Sequence, residues 1–282
     1  MDFTLKKYSE LLGALKDKGY RLITFENYCS NKIALSDESF AILRHDVDLK
    51  AKNALAVARI EHAFGIHASY YFRVVKQSNR PDIIRAIMDL GHEIGYHYED
   101  MTICNGDVDK AAKHFESQLA YFRQYYPVTT ICMHGSPLSR YDGRDLWRHL
   151  DYHDYGIIGE PYFDVDFSKV FYLTDTGRKW DGFHVSVRDK IPEYQEEWVK
   201  RGLVFHATDE IIDAIGDGRL PLQLMFTTHP QRWTDNPMEW LSDGLKQDVK
   251  NVVKWLLLRK KEKQLSFTHS VLENNCTFAP KL

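Results

Sequence analysis

The stretch ILRHDVDL, residues 42–49, joins an apolar segment to a group of ionisable side chains. Residues 41–43 have the composition of a buried strand. The ionisable residues that follow within five positions are Arg44, His45, Asp46 and Asp48. Side chains two positions apart on an extended chain point the same way, so Asp46 and Asp48 are expected to share a face. Two neighbouring carboxylates need a counter-charge, which a divalent cation or a structural ion-pair network could supply. We favour the cation.

Segments with strand character alternate with segments of helical periodicity along most of the chain. A short apolar segment lies at residues 20–24, and strands are predicted in the segment that ends with RHDVD and at 67–72, 92–98, 128–133 and 220–227, with shorter candidates at 155–158, 170–173 and 183–187. Helices are predicted within 1–20, 50–65, 83–90, 108–122, 142–150 and 245–256. Strands separated by helices predict an α/β fold with a mainly parallel sheet, either doubly wound or closed into a barrel.

Composition and charge argue against several classes of protein. The formal net charge is -3 and the pI is about 6.5, so no broad basic surface is available for a nucleic-acid backbone. The four cysteines form no C-x-x-C pair, which argues against a zinc knuckle or a disulfide framework. No apolar run approaches the roughly 18–20 residues of a transmembrane segment, and the N-terminus lacks the apolar core of a secretory signal. We therefore expect a cytoplasmic protein that binds no nucleic acid; its oligomeric state stays open.

Six predicted strands end in residue types that bind metals or transfer protons. These residues are Asp46 with Asp48, Arg73, His97, His134, Asp175 and His229. One polar residue after a strand is unremarkable, because strands lead into loops. In parallel α/β folds, however, the carboxyl ends of the strands converge, so residues distant in sequence meet in one pocket. The coincidence over six strands predicts an active site at that end of the sheet.

Three familiar catalytic motifs are incomplete in this chain. HEIGYH, residues 92–97, places its histidines five positions apart, whereas the zinc-protease motif H-E-x-x-H places them four apart. HGSPL, residues 134–138, is no G-x-S-x-G nucleophile elbow. No glycine-rich phosphate loop is present, so the sequence gives no support for nucleotide-driven chemistry.

The chain resembles the polysaccharide deacetylases of carbohydrate esterase family 4, which have the NodB-homology fold. The resemblance is carried by RHDVD (44–48), ASYYFR (68–73), GHEIGYH (91–97), a strand-final His134, TDTGRKW (174–180) and LMFTTHP (224–230). It covers about residues 40–235 and implies a distorted (β/α) barrel of roughly seven parallel strands, in agreement with the alternation above. We predict a single domain over 1–282, in which an N-terminal helical segment, 1–39, and a C-terminal helix, about 237–264, pack on this barrel core.

The resemblance also implies roles for individual residues. The first motif of the family pairs a general base with a metal ligand, which makes Asp46 the base and Asp48 the ligand. His97 matches the first metal-binding histidine of the family. His229 matches the late histidine that acts as general acid, and Asp175 matches the acidic residue that orients it.

The sequence departs from the family at the second metal-binding histidine. Family members space two histidines as H-x-x-x-H, but position 101 is Met. His134 and Glu99 are the possible substitutes, and we favour His134 because an imidazole replaces an imidazole without changing the charge of the site. The family's third motif usually offers an arginine that holds the catalytic aspartate. MHGSP, residues 133–137, lacks one, and Arg73 is expected to serve instead.

The function that the resemblance implies is hydrolysis of the N-acetyl group of an acetamido sugar with a divalent metal ion, for which zinc is the expected choice. The sugar could belong to a polysaccharide, an oligosaccharide, or a nucleotide-linked or lipid-linked precursor. Two alternatives stay open. One is hydrolysis of a cyclic amide or imide on the same barrel, and the other is a barrel that has lost catalysis and only binds a glycan or a partner protein.

Overall fold

The computed structural model describes residues 1–31, 37–136, 139–180, 190–247 and 251. Its strands are β1 (Arg21–Ile23), β2 (Phe40–Val47), β3 (Ser69–Phe72), β4 (Glu93–Tyr98), β5 (Ile131–Met133), β6 (Phe171–Thr174) and β7 (Gln223–Thr228). Its α-helices are α1 (Leu5–Asp17), α2 (Phe25–Asn31), α3 (Ala51–Ala63), α4 (Pro81–Asp89), α5 (Asp100–Ile103), α6 (Val108–Phe122), α7 (Pro161–Asp164), α8 (Pro192–Lys200) and α9 (Thr208–Gly216). Short 3₁₀ helices cover Gly143–Arg148, Tyr152–Tyr155 and Pro230–Arg232, and residues 237–247 form a C-terminal helix.

The seven described strands belong to one sheet, in which every pair is parallel. Their order is β5-β4-β3-β2-β7-β6, and β1 pairs with the first part of β2. Within the described ranges no ladder joins β5 to β6, so the curled sheet forms a half-barrel. The prediction of a distorted (β/α) barrel with about seven parallel strands is confirmed.

The central strand, β2, is buried along its whole length. α3 packs against β2 and also contacts α1 and α4, while α1 contacts α9. A parallel strand with both faces covered is expected to be apolar on both faces. Arg44, His45 and Asp46 depart from this pattern, so each of them needs a polar partner inside the protein.

The segments at the two ends of the chain add further elements to the fold. Residues 1–39 also contribute a strand, because β1 pairs with residues 40–42 of β2. In the C-terminal helix, Leu241 and Leu245 are more than half exposed, while the predicted continuation beyond residue 247 lies outside the described residues apart from Asn251. Among the helices that the structure describes, none is both long enough and apolar enough to cross a membrane.

Three of the shorter predicted elements have other outcomes. The strand predicted at 155–158 is wrong, because Tyr152–Tyr155 form a 3₁₀ helix that ends at Gly156 with a φ of 70°. After it, only Gly159 makes a β-bridge, with Thr130. The helix predicted at 142–150 is a 3₁₀ helix over Gly143–Arg148. The strand predicted at 183–187 lies outside the described residues.

Candidate metal centre

The carboxyl ends of the strands place the predicted site residues at one end of the half-barrel. Five of them directly follow a strand: Asp48, Arg73, His134, Asp175 and His229. Asp46 and His97 are each the last residue but one of a strand. Because the strands are parallel and neighbouring, these side chains start from the same edge of the sheet.

Asp48, His97 and His134 come together around one point. Oδ1 of Asp48 lies 3.6 Å from Nε2 of His97 and 3.4 Å from Nε2 of His134. One ligand atom from each residue lies within 4.8 Å of the other two. One carboxylate and two imidazoles form a donor set of the kind that holds zinc in proteins.

The second ring nitrogen of each histidine is bound in a way that leaves Nε2 facing Asp48. Nδ1 of His97 donates to the carbonyl oxygen of Cys132 at 2.9 Å. Nδ1 of His134 lies 2.9 Å from Oε2 of Glu99. A carbonyl or carboxylate on Nδ1 fixes the ring and the tautomer that a metal-binding histidine needs. Glu99, the other possible replacement for the missing histidine, therefore binds Nδ1 of His134, the ring nitrogen that faces away from Asp48.

Only one of the two carboxylate oxygens of Asp48 has a hydrogen-bond partner among the described residues. Its Oδ2 accepts from Nε2 of Gln231 at 3.2 Å, while its buried Oδ1 has no hydrogen-bond partner within the described ranges. Burial by itself would raise the pKa of this carboxyl, but His134, His97 and His229 hold the pKa well below its usual range. Oδ1 is thus an ionised oxygen without a hydrogen-bond partner that faces two imidazole nitrogens, and such a set of atoms suits a divalent cation.

A second set of possible ligands shares His97 with the first. Asp46, His97 and Cys132 also have ligand atoms within 4.8 Å of one another, and all three residues are buried. The carboxylate of Asp46 is, however, already compensated by Arg44, whose Nε and Nη2 donate to its two oxygens at 2.8 and 2.6 Å. The set with Asp48 is therefore the better cation site.

The prediction that Arg73 holds Asp46 is wrong. Arg73 forms a fork with Glu99, in which Nε and Nη2 each lie 2.9 Å from a carboxylate oxygen. Arg44 holds Asp46 instead, because the two residues are two positions apart on β2 and share a face. The signal for this pair was present in RHDVD itself.

His229 and Asp175 form a hydrogen-bonded pair on the other side of Asp48. Nδ1 of His229 lies 2.6 Å from Oδ1 of Asp175, and Nε2 lies 4.0 Å from Oδ2 of Asp48. Asp175 also accepts from Nη1 of Arg232 at 2.6 Å and from Nε1 of Trp233 at 2.8 Å. Burial alone would raise the pKa of Asp175, but Arg232 and His229 lower it. Asp175 thus remains a carboxylate that orients the His229 ring.

Several polar residues near the site were not predicted from the sequence. Gln231, Arg232 and Trp233 follow His229 in the 3₁₀ helix and the residue after it, so the stretch HPQRW carried a signal for them. Glu160 is buried and accepts from the backbone N–H groups of Met133 and Tyr162. Burial raises its pKa to about 7. No spacing in the sequence marked Glu160 as a neighbour of this region.

A groove of about 660 Å³ is lined by residues of the segments 140–144, 162–167 and 190–194. Its polar and aromatic lining includes Arg140, Arg144, Tyr162, Lys190 and Tyr194. The guanidinium carbon of Arg44 lies 5.6 Å from the centre of the Tyr162 ring, so the groove begins next to the pair that Arg44 forms with Asp46. Its size is in the range that binds small molecules.

The fold and the site together define an α/β half-barrel protein with a carboxylate and imidazole cluster at its strand ends. No protein-family model matches the chain, and no curated protein matches it. Among solved structures, it is similar to BA3943 of Bacillus anthracis, a CE4 family pseudoenzyme, with 10% sequence identity and a TM-score of 0.42. The similarity covers 75% of this chain and 60% of that protein, which is less than two thirds of its length. The assignment of the fold rests on the strand order and register described above.

Proposed function

We propose that this protein is a metal-dependent amide hydrolase that removes the N-acetyl group of an acetamido sugar. The observation that carries the proposal is the meeting of Asp48, His97 and His134 around one point, with Asp46 and His229 beside it. This arrangement supports the roles of metal ligand, carboxylate base and imidazole acid that the resemblance to the polysaccharide deacetylases implies.

Asp48, His97 and His134 would hold a divalent ion, and zinc suits their oxygen and nitrogen donors. When bound, such an ion would polarise an amide carbonyl and lower the pKa of a water from its bulk value towards about 7–9. Glu99 and Arg73 would support this set from behind, since Glu99 accepts from Nδ1 of His134 and is itself held by Arg73.

Asp46 would act as the general base. Its Oδ2 lies 3.7 Å from Nε2 of His97, so the carboxylate faces the same point as the proposed ligands. The fork of Arg44 on Asp46 keeps the carboxylate in one orientation and compensates its charge in a buried strand. These contacts support Asp46 as the group that would take a proton from the attacking water.

His229 would act as the general acid. An amide does not break readily unless its nitrogen is protonated as it leaves, so a second proton-transfer group is needed. Asp175 orients the ring through Nδ1 and leaves Nε2 directed towards Asp48. The proton on Nε2 would pass to the departing amine.

The groove beside the site supports a sugar as the substrate. Tyr162 and Tyr194 provide aromatic rings, and Arg140, Arg144 and Lys190 provide hydrogen-bond donors. Sugar rings present C–H faces that pack on aromatic rings, and hydroxyl groups that accept hydrogen bonds. The groove therefore has the chemistry to bind at least one sugar unit.

The test is acetate release from a panel of N-acetylated sugars that includes free, nucleotide-linked, lipid-linked and polymeric forms. We expect the zinc-loaded protein to release acetate, and we expect Asp46→Asn to lose turnover by at least about 100-fold while it keeps its zinc, since Asp46 serves as a base and is no ligand. Ring opening of a cyclic imide without acetate release would favour the alternative hydrolase. A protein that binds no zinc and releases nothing would contradict the proposal.

A further inference from the structure

A second buried polar cluster lies behind the sheet, on the face opposite the candidate metal centre. Its members are all buried and form side-chain hydrogen bonds between different elements. We call it the rear network, and it consists of Tyr8 (α1), His45 (β2), Glu61 (α3), Tyr70 (β3) and Thr228 (β7). The proposed function gives no role to any of these residues.

Glu61 is the centre of the rear network. Its Oε1 accepts from the hydroxyl of Tyr8 at 2.5 Å and from Nε2 of His45 at 2.6 Å. Its Oε2 accepts from the hydroxyl of Tyr70 at 2.5 Å. Burial by itself raises the pKa of Glu61, but His45 holds the pKa below its usual range. A carboxylate charge is thus maintained in the core, where only well-placed donors offset the loss of solvation.

The rear network connects β2, β3 and β7 at the level where the β2–β7 ladder ends. His45 and Thr228 are the last register pair of that ladder. Their side chains continue the connection, because Nδ1 of His45 lies 2.6 Å from Oγ1 of Thr228. On its other side, His45 is the register partner of Tyr70, which also binds Glu61.

The site residues come directly next to these two positions in the sequence. His45 lies between Arg44 and Asp46, and Thr228 precedes His229. Side chains on a strand alternate between faces, so a change in the orientation of His45 or Thr228 also turns its neighbours on the site face. The rear network can therefore influence the site through two short pieces of backbone.

We propose that Glu61, acting through His45 and Thr228, is a positioning residue that fixes the ends of β2 and β7 so that Asp48 and His229 face each other. The catalytic consequence rests on the proposed function. The structural consequence, a fixed environment for the site histidines, does not depend on turnover.

Two threonine-to-valine variants at adjacent positions of β7 test the proposal. Thr228→Val removes the hydroxyl that binds His45. Thr227→Val is the matched control, because it removes a buried hydroxyl without a hydrogen-bond partner in the described part of the chain. By alternation, Thr227 lies on the site face with His229. The proposal thus predicts the larger effect from the residue that faces away from the site.

The readouts are the imidazole NMR signals of His97, His134 and His229 in the metal-free full chain, and kcat and KM of the zinc-loaded protein. We expect Thr228→Val to shift the His229 signals and to lower kcat by about 10-fold with KM within about twofold, because small misplacements of reacting groups reduce the rate. Thr227→Val should match the unaltered protein. The NMR signals need no turnover, so a failure of the proposed function is distinguishable from a failure of this inference.

Glu61→Gln provides a second variant, which keeps the shape of the side chain and removes its charge. It should shift the same His229 signals, and it decides the comparison if Thr228→Val does not fold. Unchanged His229 signals in both variants, or equal shifts in Thr227→Val, would overturn the proposal. Loss of the fold in both, with Thr227→Val folded, would also overturn it, because the rear network would then serve stability alone.

Discussion

Arg44 and Arg73 both form forks with carboxylates near the site, but they serve different parts of it. Arg44 holds Asp46, the proposed base. Arg73 holds Glu99, which in turn binds Nδ1 of His134, a proposed ligand. Since a lysine keeps the charge but cannot form the planar fork, the two arginines can be compared by the same substitution.

We predict that Arg44→Lys lowers kcat by at least about 10-fold and leaves the affinity for zinc unchanged, because the orientation of the base is lost. Arg73→Lys should instead weaken zinc binding by about 10–100-fold, the usual effect of disturbing a group that supports a metal-binding histidine. Steady-state kinetics and zinc titration of both variants check the pair of expectations. The reverse pattern, with zinc affinity lost in Arg44→Lys, would show that the roles are assigned wrongly.

Much of the site could be predicted because parallel strands bring their carboxyl ends together. Asp48, His97 and His134 are therefore predicted from the sequence to lie near one another. The predicted partner of Asp46 is wrong, because Arg73, at the end of β3, forms its fork with Glu99, whereas Arg44 shares a face of β2 with Asp46. Glu99 follows β4 and His134 follows β5, so their contact joins residues that are distant in sequence, and no local sequence pattern predicts it.

At the scale of elements, periodicity predicted the strands of the half-barrel and failed where the chain leaves the sheet. Residues 155–158 have the composition of a strand, but Tyr155 ends a 3₁₀ helix and Gly156 is left-handed, and the β-bridge that follows is made by Gly159. The face that His45 occupies on β2 could be predicted only by its alternation with Asp46. The buried donors and acceptors that it meets there belong to α3 and β7, which no local pattern could identify.

The first helix offers a stability prediction that is separate from the site. The side chain of Thr4 caps α1 by accepting from the backbone N–H of Lys7 at 3.0 Å. We predict that Thr4→Ala lowers the free energy of unfolding by about 1 kcal/mol, because a helix N-terminal donor loses its partner. Chemical denaturation provides the measurement. Thr4→Ser, which keeps the hydroxyl, is the control and should recover most of the loss; an equal loss in both variants would count against capping as the cause.

At the scale of the whole molecule, Glu93 joins several elements at the amino ends of the strands. It accepts from the backbone N–H of Glu26 in α2 at 3.0 Å and from the hydroxyl of Ser69 in β3 at 2.5 Å. Thr130, just before β5, also donates to it. Burial raises the pKa of Glu93 from 4.5 to about 7. The carboxyl of Glu93 is therefore more readily protonated in the folded protein than in the unfolded chain.

This shift predicts a pH dependence of stability. A carboxyl whose pKa is higher in the folded state stabilises the fold most at pH values below 4.5, and this contribution is lost as the pH rises through about 7. We expect Glu93→Gln to become more stable relative to the unaltered protein between pH 5 and pH 8, by at most about 3 kcal/mol. Denaturation curves across this range test it, with the exposed Glu116→Gln as the control for removing one charge. A stability difference that does not change with pH would contradict the prediction.

The central claim is that Asp48, His97 and His134 form the cation site at the open end of the half-barrel. Zinc titration of metal-free protein by calorimetry tests it most directly, with Asp48→Asn compared with Cys132→Ser, which removes the thiol of the competing ligand set. We expect one zinc ion per chain in the unaltered protein and in Cys132→Ser, and an affinity at least about 100-fold weaker in Asp48→Asn, because a charged ligand is lost. Absence of zinc binding, or binding that survives in Asp48→Asn and disappears in Cys132→Ser, would contradict the account.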